Sequence, residues 1–306
     1  MSEQTLKRIF GVLGVLVLLW ISSVLLSGRS GSGAAPDGGI APLLERLNES
    51  NVTAIRIANP DLTVSLQRSG DAWTVNGNVA DSAAMTRLWS ALAEADVGGV
   101  TANNPSNHER LGVSANDART VDFTLADGGT ATVLLGNPGP VTPSGFVRLP
   151  DQDAVVVVSG DLRSTLAQSV VDWRDKTILR VDTASVVRVV LETEAGSHVA
   201  ARSDGTWSVD GEPADATAMR LLLDELANFA AVGFVEGREA YQDNERRVIA
   251  LGAGQDTLGV VLITGEAGSR HARTPGNDIV FEVATFRADR ITPDIERLRP
   301  AGASGA

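Results

Sequence analysis

The longest apolar stretch of the chain covers residues 9–26, which read IFGVLGVLVLLWISSVLL and contain no charged side chain. At ~1.5 Å per helical residue, this stretch is just long enough to cross a ~30 Å hydrocarbon core. Lys7 and Arg8 precede it, whereas residues 27–40 contain a single arginine. Because basic residues favour the cytoplasmic side, the pattern predicts a single-pass anchor in the cell inner (cytoplasmic) membrane. Residues 1–8 are then cytoplasmic, and the bulk of the chain is extracytoplasmic or periplasmic.

A cleaved signal peptide is the alternative interpretation of the same segment. The apolar core of a signal peptide usually has ~7–15 residues, which is shorter than the run over 9–26, and no A-x-A cleavage pattern follows closely. We therefore predict an uncleaved anchor. Residues 27–40 are rich in Gly, Ser and Ala, which is typical of a flexible linker between an anchor and a folded region.

Beyond the linker, apolar and polar residues alternate with the period of two that is typical of half-buried β-strands. The first three strands are predicted over 52–57, 62–66 and 72–75. Asn76-Gly77 then gives a strong turn signal, and Asp81 is a suitable start for a helix with apolar residues on one face. Further strands are predicted over 120–125, 131–135, 145–149, 154–158, 186–191, 198–201, 206–209, 247–251 and 257–263, and further helices over 159–168, 213–229 and 285–298.

One sequence pattern occurs twice in the chain. Nine residues recur at a constant offset of 134 positions: Trp73, Val75, Gly77, Ala80, Asp81, Ala84, Met85, Leu88 and Leu92 recur as Trp207, Val209, Gly211, Ala214, Asp215, Ala218, Met219, Leu222 and Leu226. A second pattern, R-x-P-x-x-D-x-V, begins at Arg148 and again at Arg273, at an offset of 125. Self-similarity that runs through strands, a turn and a helix is typical of a duplicated folding unit. The change of offset indicates loops of different length.

Strands that come in runs with one helix per run, without βαβ alternation, favour an α+β class. The predicted fold has two tandem duplicated lobes of mainly antiparallel β-sheet with one main helix each, behind the single N-terminal transmembrane helix. The first lobe, with a junction helix, is predicted over 41–180 and the second over 181–298, followed by a disordered tail over 299–306. The length of 306 residues agrees with two domains.

Charge and composition exclude several classes of function. The formal net charge is −12, so the surface should repel nucleic acid and anionic lipid. No cysteine is present, which excludes disulfides, thiolate metal sites, a cysteine nucleophile and a lipoprotein lipid attachment. Only 4% of residues are aromatic, so Trp73 and Trp207 are most simply equivalent core residues. Exposed platforms that stack on a glycan are the alternative.

The three histidines form no recognisable catalytic or metal-binding constellation. His108, His198 and His271 show no i, i+4 pairing and no nearby carboxylate at ligand spacing. Carboxylates also occur in the segments 151–153 and 276–278. Turn formation explains them, whereas a calcium site would need about 6–8 oxygen ligands.

Glycine-rich segments and hydrolase signatures give no further indication of catalysis. Residues 136–139 and 252–254 fit neither a phosphate loop nor a dinucleotide fingerprint, so we interpret them as loops. The patterns G-x-S-x-G, S-x-x-K and H-E-x-x-H do not occur. The sequence therefore predicts a protein that is not an enzyme and has no cofactor and no metal site.

One segment between the two repeats is the best functional candidate. It consists of Asp172, Trp173, Arg174, Asp175 and Lys176. Asp172 and Lys176 can pair at i, i+4 on a helix, and Trp173 brings a large apolar surface to the predicted lobe junction. The segment is interpreted either as a clamp between the lobes or as a patch that docks a partner or lines a ligand site.

Three motifs carry a resemblance to a known family. They are the W-[ST]-V-[ND]-G turn before a helix, the Asp127-Gly turn followed by an apolar strand that ends at Leu-Gly136, and the junction segment 172–176. Together they resemble the domain-of-unknown-function family numbered 4340 over roughly residues 45–298. The chain departs from the family pattern near 239–247, where Tyr241 has no Gly-Leu behind it. The resemblance implies an accessory role beside gliding-motility-type ABC export systems and supplies no catalytic residues.

The sequence thus leads to three hypotheses of function. The first is a non-enzymatic accessory or scaffold subunit of a cell-envelope complex, with protein partners there. The second is a binding module that holds a small solute or polymer in a cleft between the lobes, since ligand sites favour domain interfaces. The third is an enzyme whose site the motifs do not reveal.

Overall fold

The computed structural model describes residues 39–59, 62–193, 196–235, 245–266 and 268–300. The predicted anchor at 9–26 lies outside these residues, as do nearly all of the predicted linker and most of the predicted tail. Among the described helices, none has both the length and the apolar character that crossing a membrane requires.

The chain divides into two compact units, the first ending at Val170 and the second beginning at Val171. This division lies ten residues before the predicted boundary at 180. The reason lies in strand β10 (Thr177–Leu179), which pairs with β15 (Phe229–Ala230) of the second unit. The junction segment thereby belongs to the second lobe.

The first lobe is built around a nine-stranded antiparallel sheet with the order β4-β3-β2-β1-β6-β7-β8-β9-β5 among the described residues. Its elements are α1 (Ile40–Arg46), β1 (Val52–Asn59), β2 (Leu62–Ser69), β3 (Ala72–Val75), β4 (Asn78–Val79), α2 (Ser82–Ala93), β5 (Asp96–Ala102), a 3-10 turn (Pro105–Asn107), β6 (Arg119–Leu125), β7 (Thr130–Pro138), β8 (Ser144–Arg148), β9 (Val155–Ser159) and α3 (Leu162–Leu166).

Local chemistry explains why these elements form. In the β1–β2 hairpin, Ile55 pairs with Leu66, and Ile57 and Val64 on the same face are also buried, as the alternation predicts. Helix α2 begins after Asp81, whose Oδ1 accepts a hydrogen bond from the Ala84 N–H at 2.7 Å. This N-cap satisfies one of the free N–H groups of the first turn. The buried face of α2 consists of Ala84, Met85, Leu88, Ala91 and Leu92.

The second lobe contains a nine-stranded sheet with the order β14-β13-β12-β11-β17-β18-β19-β20-β16 within the described ranges. The elements are α4 (Val170–Trp173), whose first residue closes the first unit, β10, β11 (Arg188–Thr193), β12 (Gly196–Ser203), β13 (Thr206–Val209), β14 (Glu212–Pro213), α5 (Ala216–Ala227), β15, β16 (Gly233–Val235), β17 (Arg246–Leu251), β18 (Thr257–Thr264), β19 (Arg270–Arg273), β20 (Val280–Val283), α6 (Thr285–Ile291) and a 3-10 turn (Ile295–Leu298). Asp215 caps α5 by accepting from the Ala218 N–H at 2.8 Å, just as Asp81 caps α2.

Both large sheets are antiparallel and a few helices accompany them, so the fold is α+β and mainly β, as the sequence predicts. Strand by strand, the order of the second sheet repeats the order of the first. In the first lobe, the strand after the main helix, β5, pairs with the last strand, β9. In the second lobe, the short β15 follows the main helix, and the next strand, β16, pairs with the last strand, β20.

Several predicted boundaries differ from the structure. Residues 136–138 continue strand β7 and do not form a loop. The predicted helix over 285–298 is divided into α6 and a 3-10 turn, because Pro293 removes a backbone donor and restricts the residue before it. The predicted helices over 159–168 and 213–229 are shorter in the structure, which shows them as α3 and α5.

Candidate functional site

The predicted functional segment 172–176 begins with a buried tryptophan. Trp173 ends helix α4 and is 0% exposed. Its indole Nε1 is buried and makes no hydrogen bond within the described part of the chain. A side chain so placed contributes packing area, and its large apolar surface is not offered to solvent.

The rest of the segment is bound to the second lobe's own backbone and rings. The Arg174 guanidinium carbon lies 3.5 Å from the centroid of the Phe234 ring, in strand β16. The Asp175 carboxylate accepts from the Thr177 N–H at 2.9 Å, which forms a turn ahead of β10. The Lys176 carbonyl accepts from the Ala231 N–H at 2.8 Å. These contacts connect the segment to the β15–β16 region.

The predicted helical pairing of Asp172 with Lys176 is wrong in its geometry. Helix α4 ends at Trp173, so Lys176 lies beyond it and the i, i+4 spacing no longer places both side chains on one face. The extended backbone of β10 follows at once, because this segment pairs with β15.

One histidine does have a carboxylate partner, which corrects the sequence prediction. His198 Nδ1 lies 2.7 Å from Asp210 Oδ2, and the Val199 N–H donates to Asp210 Oδ1 at 2.9 Å. Arg299 Nη2 lies 3.7 Å from the same carboxylate. The Val199 N–H above all, and then His198 and Arg299, lower the pKa of Asp210, while burial opposes them. The group links strand β12 to the turn after β13.

A second histidine takes part in a backbone-binding group of the first lobe. His108 Nε2 lies 2.9 Å from the Asp153 carbonyl oxygen. Arg148 is 7% exposed, and its Nε donates to the Val113 carbonyl at 3.0 Å. Its Nη1 also lies 3.0–3.2 Å from the carbonyl oxygens of Leu149, Pro150 and Gln152. Burial lowers the pKa of Arg148 and the Asp153 carboxylate opposes this. This group fixes the turn that contains Asp151 and Asp153.

Neither turn segment forms a metal cluster with other described residues: no group of three or more His, Asp and Glu lies close enough there to coordinate an ion. The third histidine, His271, lies in β19 and pairs in register with Thr264 and Glu282.

A buried ion-pair group joins helices α5 and α6 of the second lobe. Glu225 of α5 is 6% exposed. Its Oε2 accepts from Arg287 Nε at 2.8 Å, and its Oε1 lies 3.7 Å from Arg290 Nη1. Arg287 also donates to the carbonyls of Asn228 and Ala230, which follow α5. The first lobe has Ala91 at the position of Glu225, at the repeat offset of 134.

A cleft with two arginines lies at one edge of the first lobe. Its lining includes Arg119 from the start of β6, Arg163 from α3, Gly136 from β7, and Asp117, and its volume is about 160 Å³. Arg119 Nη1 donates to the Leu166 carbonyl at 2.8 Å, and Arg163 Nε donates to the Gly136 carbonyl at 2.9 Å. Sequence reasoning missed this cleft because its arginines come from separate elements and fit no local motif.

Comparison with known proteins identifies a family. The family model described as Domain of unknown function (DUF4340) matches residues 73–251, from strand β3 of the first lobe to β17 of the second. No curated protein and no solved structure matches the chain. The matched residues make up more than half of the chain and include the second copy of the tryptophan pattern. The protein therefore belongs to the DUF4340 family, as its motifs predict.

Proposed function

We propose that this protein is a non-enzymatic accessory or scaffold subunit of an ABC-export-type complex in the cell envelope. A single helix over 9–26 anchors it in the cytoplasmic membrane, and two lobes derived from one duplicated unit lie on the extracytoplasmic, periplasmic side. The charge-free apolar run and the preceding Lys7 and Arg8 support the anchor and its orientation. The identical strand order of the two sheets supports the duplication.

One observation carries the non-enzymatic part of the proposal: the buried His108, Arg148 and Glu225 bind the protein's own main chain or another of its side chains. Arg148 and His108 bind carbonyl oxygens of the first lobe, and Arg287 binds carbonyl oxygens after α5. Catalytic groups instead need donors or bases that face a reacting atom in a cleft. The polar groups therefore support two rigid sheets, which suits a protein that presents surfaces to partners.

Membrane topology can be tested with single cysteines, because the natural chain has none and gives no labelling background. Val141 is 71% exposed in the first lobe, whereas Ser2 precedes the anchor. In intact spheroplasts, a membrane-impermeant maleimide should label Val141→Cys and should label Ser2→Cys only after lysis. Labelling of Ser2→Cys in intact spheroplasts, or of neither variant after lysis of folded protein, would contradict the proposed orientation.

The accessory role is tested by crosslinking and co-purification of the full-length protein from native membranes. The matched control carries residues 1–38 fused to an unrelated soluble domain, so that the anchor alone is present. Recovery of ABC permease or other transport subunits with the full chain, but not with the control, is the expected result. Equal recovery with both chains means that the lobes do not bind these partners, and the accessory role would then be abandoned.

A further inference from the structure

Among the described residues, the two arginines of the first-lobe cleft have no carboxylate partner. Neither Arg119 nor Arg163 forms an ion pair with any described residue, and each makes one hydrogen bond, to a main-chain carbonyl. A guanidinium carries five N–H donors, so most donors of both side chains remain available. Both side chains are half-buried. The cleft therefore combines two fixed positive charges with unused donors.

The two charges act on each other. Burial, and next the positive charge of Arg163, lower the pKa of Arg119. Two like charges that repel each other are stabilised when an anion lies near them. Asp117 is the one carboxylate among the described lining residues, and its Oδ2 accepts from Ser114 Oγ at 2.5 Å. One exposed carboxylate leaves the cleft with a net positive charge, although the whole chain carries −12.

The shape of the cleft is fixed by close approaches of the backbone. A Cβ at Gly136 would lie 2.4 Å from the Leu111 carbonyl oxygen, and one at Gly145 would lie 2.6 Å from Arg163 Cδ. Glycine at these positions lets the loop before β6 pack on β7 and lets the Arg163 stem cross β8. The guanidinium groups are thus placed by packing before any ligand arrives, which lowers the cost of ordering them.

The second lobe provides an internal comparison. Arg246 opens β17 as Arg119 opens β6. Two residues later, Val248 pairs with Leu191 of β11 and Val121 pairs with Ile57 of β1. Arg246 donates to the Thr292 carbonyl after α6, as Arg119 donates to the end of α3. The backbone-binding role is therefore shared by the two lobes. In the second lobe, however, Arg270 of β19 is paired with Asp289 of α6 at 3.2 Å.

We propose that the Arg119–Arg163 cleft of the first lobe binds a small oxyanion, phosphate or sulfate, either as a free ion or as the terminal group of a larger molecule. Two guanidinium groups suit such a group, because they can each donate more than one hydrogen bond to its oxygens. A volume of about 160 Å³ lies well below the ~300–1,000 Å³ of sites that enclose a drug-sized ligand. The cleft therefore has room for the anionic group but does not enclose a larger molecule that carries it.

Calorimetric titration of the full-length protein in detergent with inorganic phosphate, in a buffer free of other oxyanions, tests the proposal. Saturable one-to-one binding is expected. Arg163→Gln should weaken it at least about tenfold, since one of two charges is lost. Arg163→Lys, which keeps the charge, should lose much less. Asp117→Asn should tighten binding a few-fold, an effect that a purely structural role of the arginines does not produce.

The matched control is Arg246→Gln in the second lobe, which should leave phosphate binding unchanged. Circular dichroism establishes that each variant is folded. Glycerol 2-phosphate distinguishes the two sources of the anion: its binding at similar affinity indicates a group on a larger molecule, and its rejection beside bound phosphate indicates the free ion. Absence of saturation at millimolar phosphate, or equal binding by Arg163→Gln and the natural chain, would overturn the proposal.

Discussion

The two lobes share a strand order but place their charges differently. In the first lobe, Arg148 lies buried against main-chain carbonyls and the main helix has Ala91 on its buried face. In the second, the corresponding Arg273 reaches Glu245 at 2.7 Å near the surface, and the main helix carries the buried Glu225. The same topology therefore tolerates two arrangements of polar contacts. The backbone pattern and apolar positions determine the fold, and the charges are free to diverge.

The largest difference is expected between the two repeated tryptophans. Trp73 is buried and packs on Trp89 with ring centroids 5.5 Å apart, whereas Trp207 is half-buried with Arg202 above its ring. Trp73→Ala should lower the free energy of unfolding by about 4 kcal/mol, and Trp207→Ala by roughly half as much. Urea unfolding gives the size of each effect, and peptide-resolved hydrogen exchange shows which lobe is affected. Equal losses would mean that the lobes depend equally on their tryptophans.

The next comparison concerns the two arginines of the repeated R-x-P-x-x-D-x-V pattern. Arg148→Ala leaves four main-chain carbonyls without their donor and should cost about 3 kcal/mol of stability. Arg273→Ala removes a partly exposed ion pair and should cost about 1 kcal/mol. Arg148→Lys is the control, because one ammonium cannot reach all four carbonyls. Thermal unfolding that ranks Arg273→Ala as the more damaging variant would refute this account.

A smaller difference is expected within helix α5. Glu225→Ala leaves Arg287 and Arg290 without their shared carboxylate and should cost about 2 kcal/mol, less than for a fully enclosed pair because both arginines are partly exposed. Asp224→Ala, on the same helix, breaks an exposed i, i+4 pair with Arg220 and should cost below ~0.5 kcal/mol. The comparison fails if chemical denaturation finds the two variants equally stable.

The smallest effect is a dependence on pH at equivalent turn positions. Asn76 and Asp210 both have positive φ, and the side chains accept hydrogen bonds from the Ser65 and Val199 N–H groups at 2.8 and 2.9 Å. Only Asp210 titrates. Because its pKa is lowered in the folded state, its contribution is present above the ordinary carboxyl pKa of 3.8 and is lost as pH falls through the lower folded value.

Asp210→Asn gives the second lobe the amide side chain that the first lobe has at the equivalent position, Asn76. We expect this variant to lose stability relative to the natural chain at neutral pH and to approach it as the pH falls below 3.8. Thermal unfolding across this range measures the difference. A stability gap that does not change with pH would show that the charge of Asp210 contributes nothing.

Local signals in the sequence were sufficient for most strands and both main helices. Asp81 caps α2 as predicted, because a cap depends only on residues one turn away, and Asp215 at the equivalent repeat position caps α5 in the same way. Strand β5 was missed. It contains Gly98 and Gly99, is mostly exposed, and pairs with β9 through two register shifts, so it shows no alternation.

Contacts between distant elements could not be predicted from spacing. His198 meets Asp210 across a hairpin, at a separation that a search for helical pairs does not cover. Asp210 occupies the same position in the repeat as Asn76, which follows a predicted strand. This equivalence was the signal that could have placed the Asp210 carboxylate beside a strand. Arg119 and Arg163 line one cleft only because α3 returns to the start of β6, which requires the complete sheet order.

The closing strands β5 and β16 determine when each lobe can finish folding. Asp96 pairs with Ser159, and Gly233 pairs with Glu282, so each pairing must wait until the last strand of its own lobe has been synthesised. Such distant pairings form slowly, since the intervening loop must close first. Within the described residues, each large sheet consists only of strands from its own lobe. The first sheet can therefore be completed without any strand of the second.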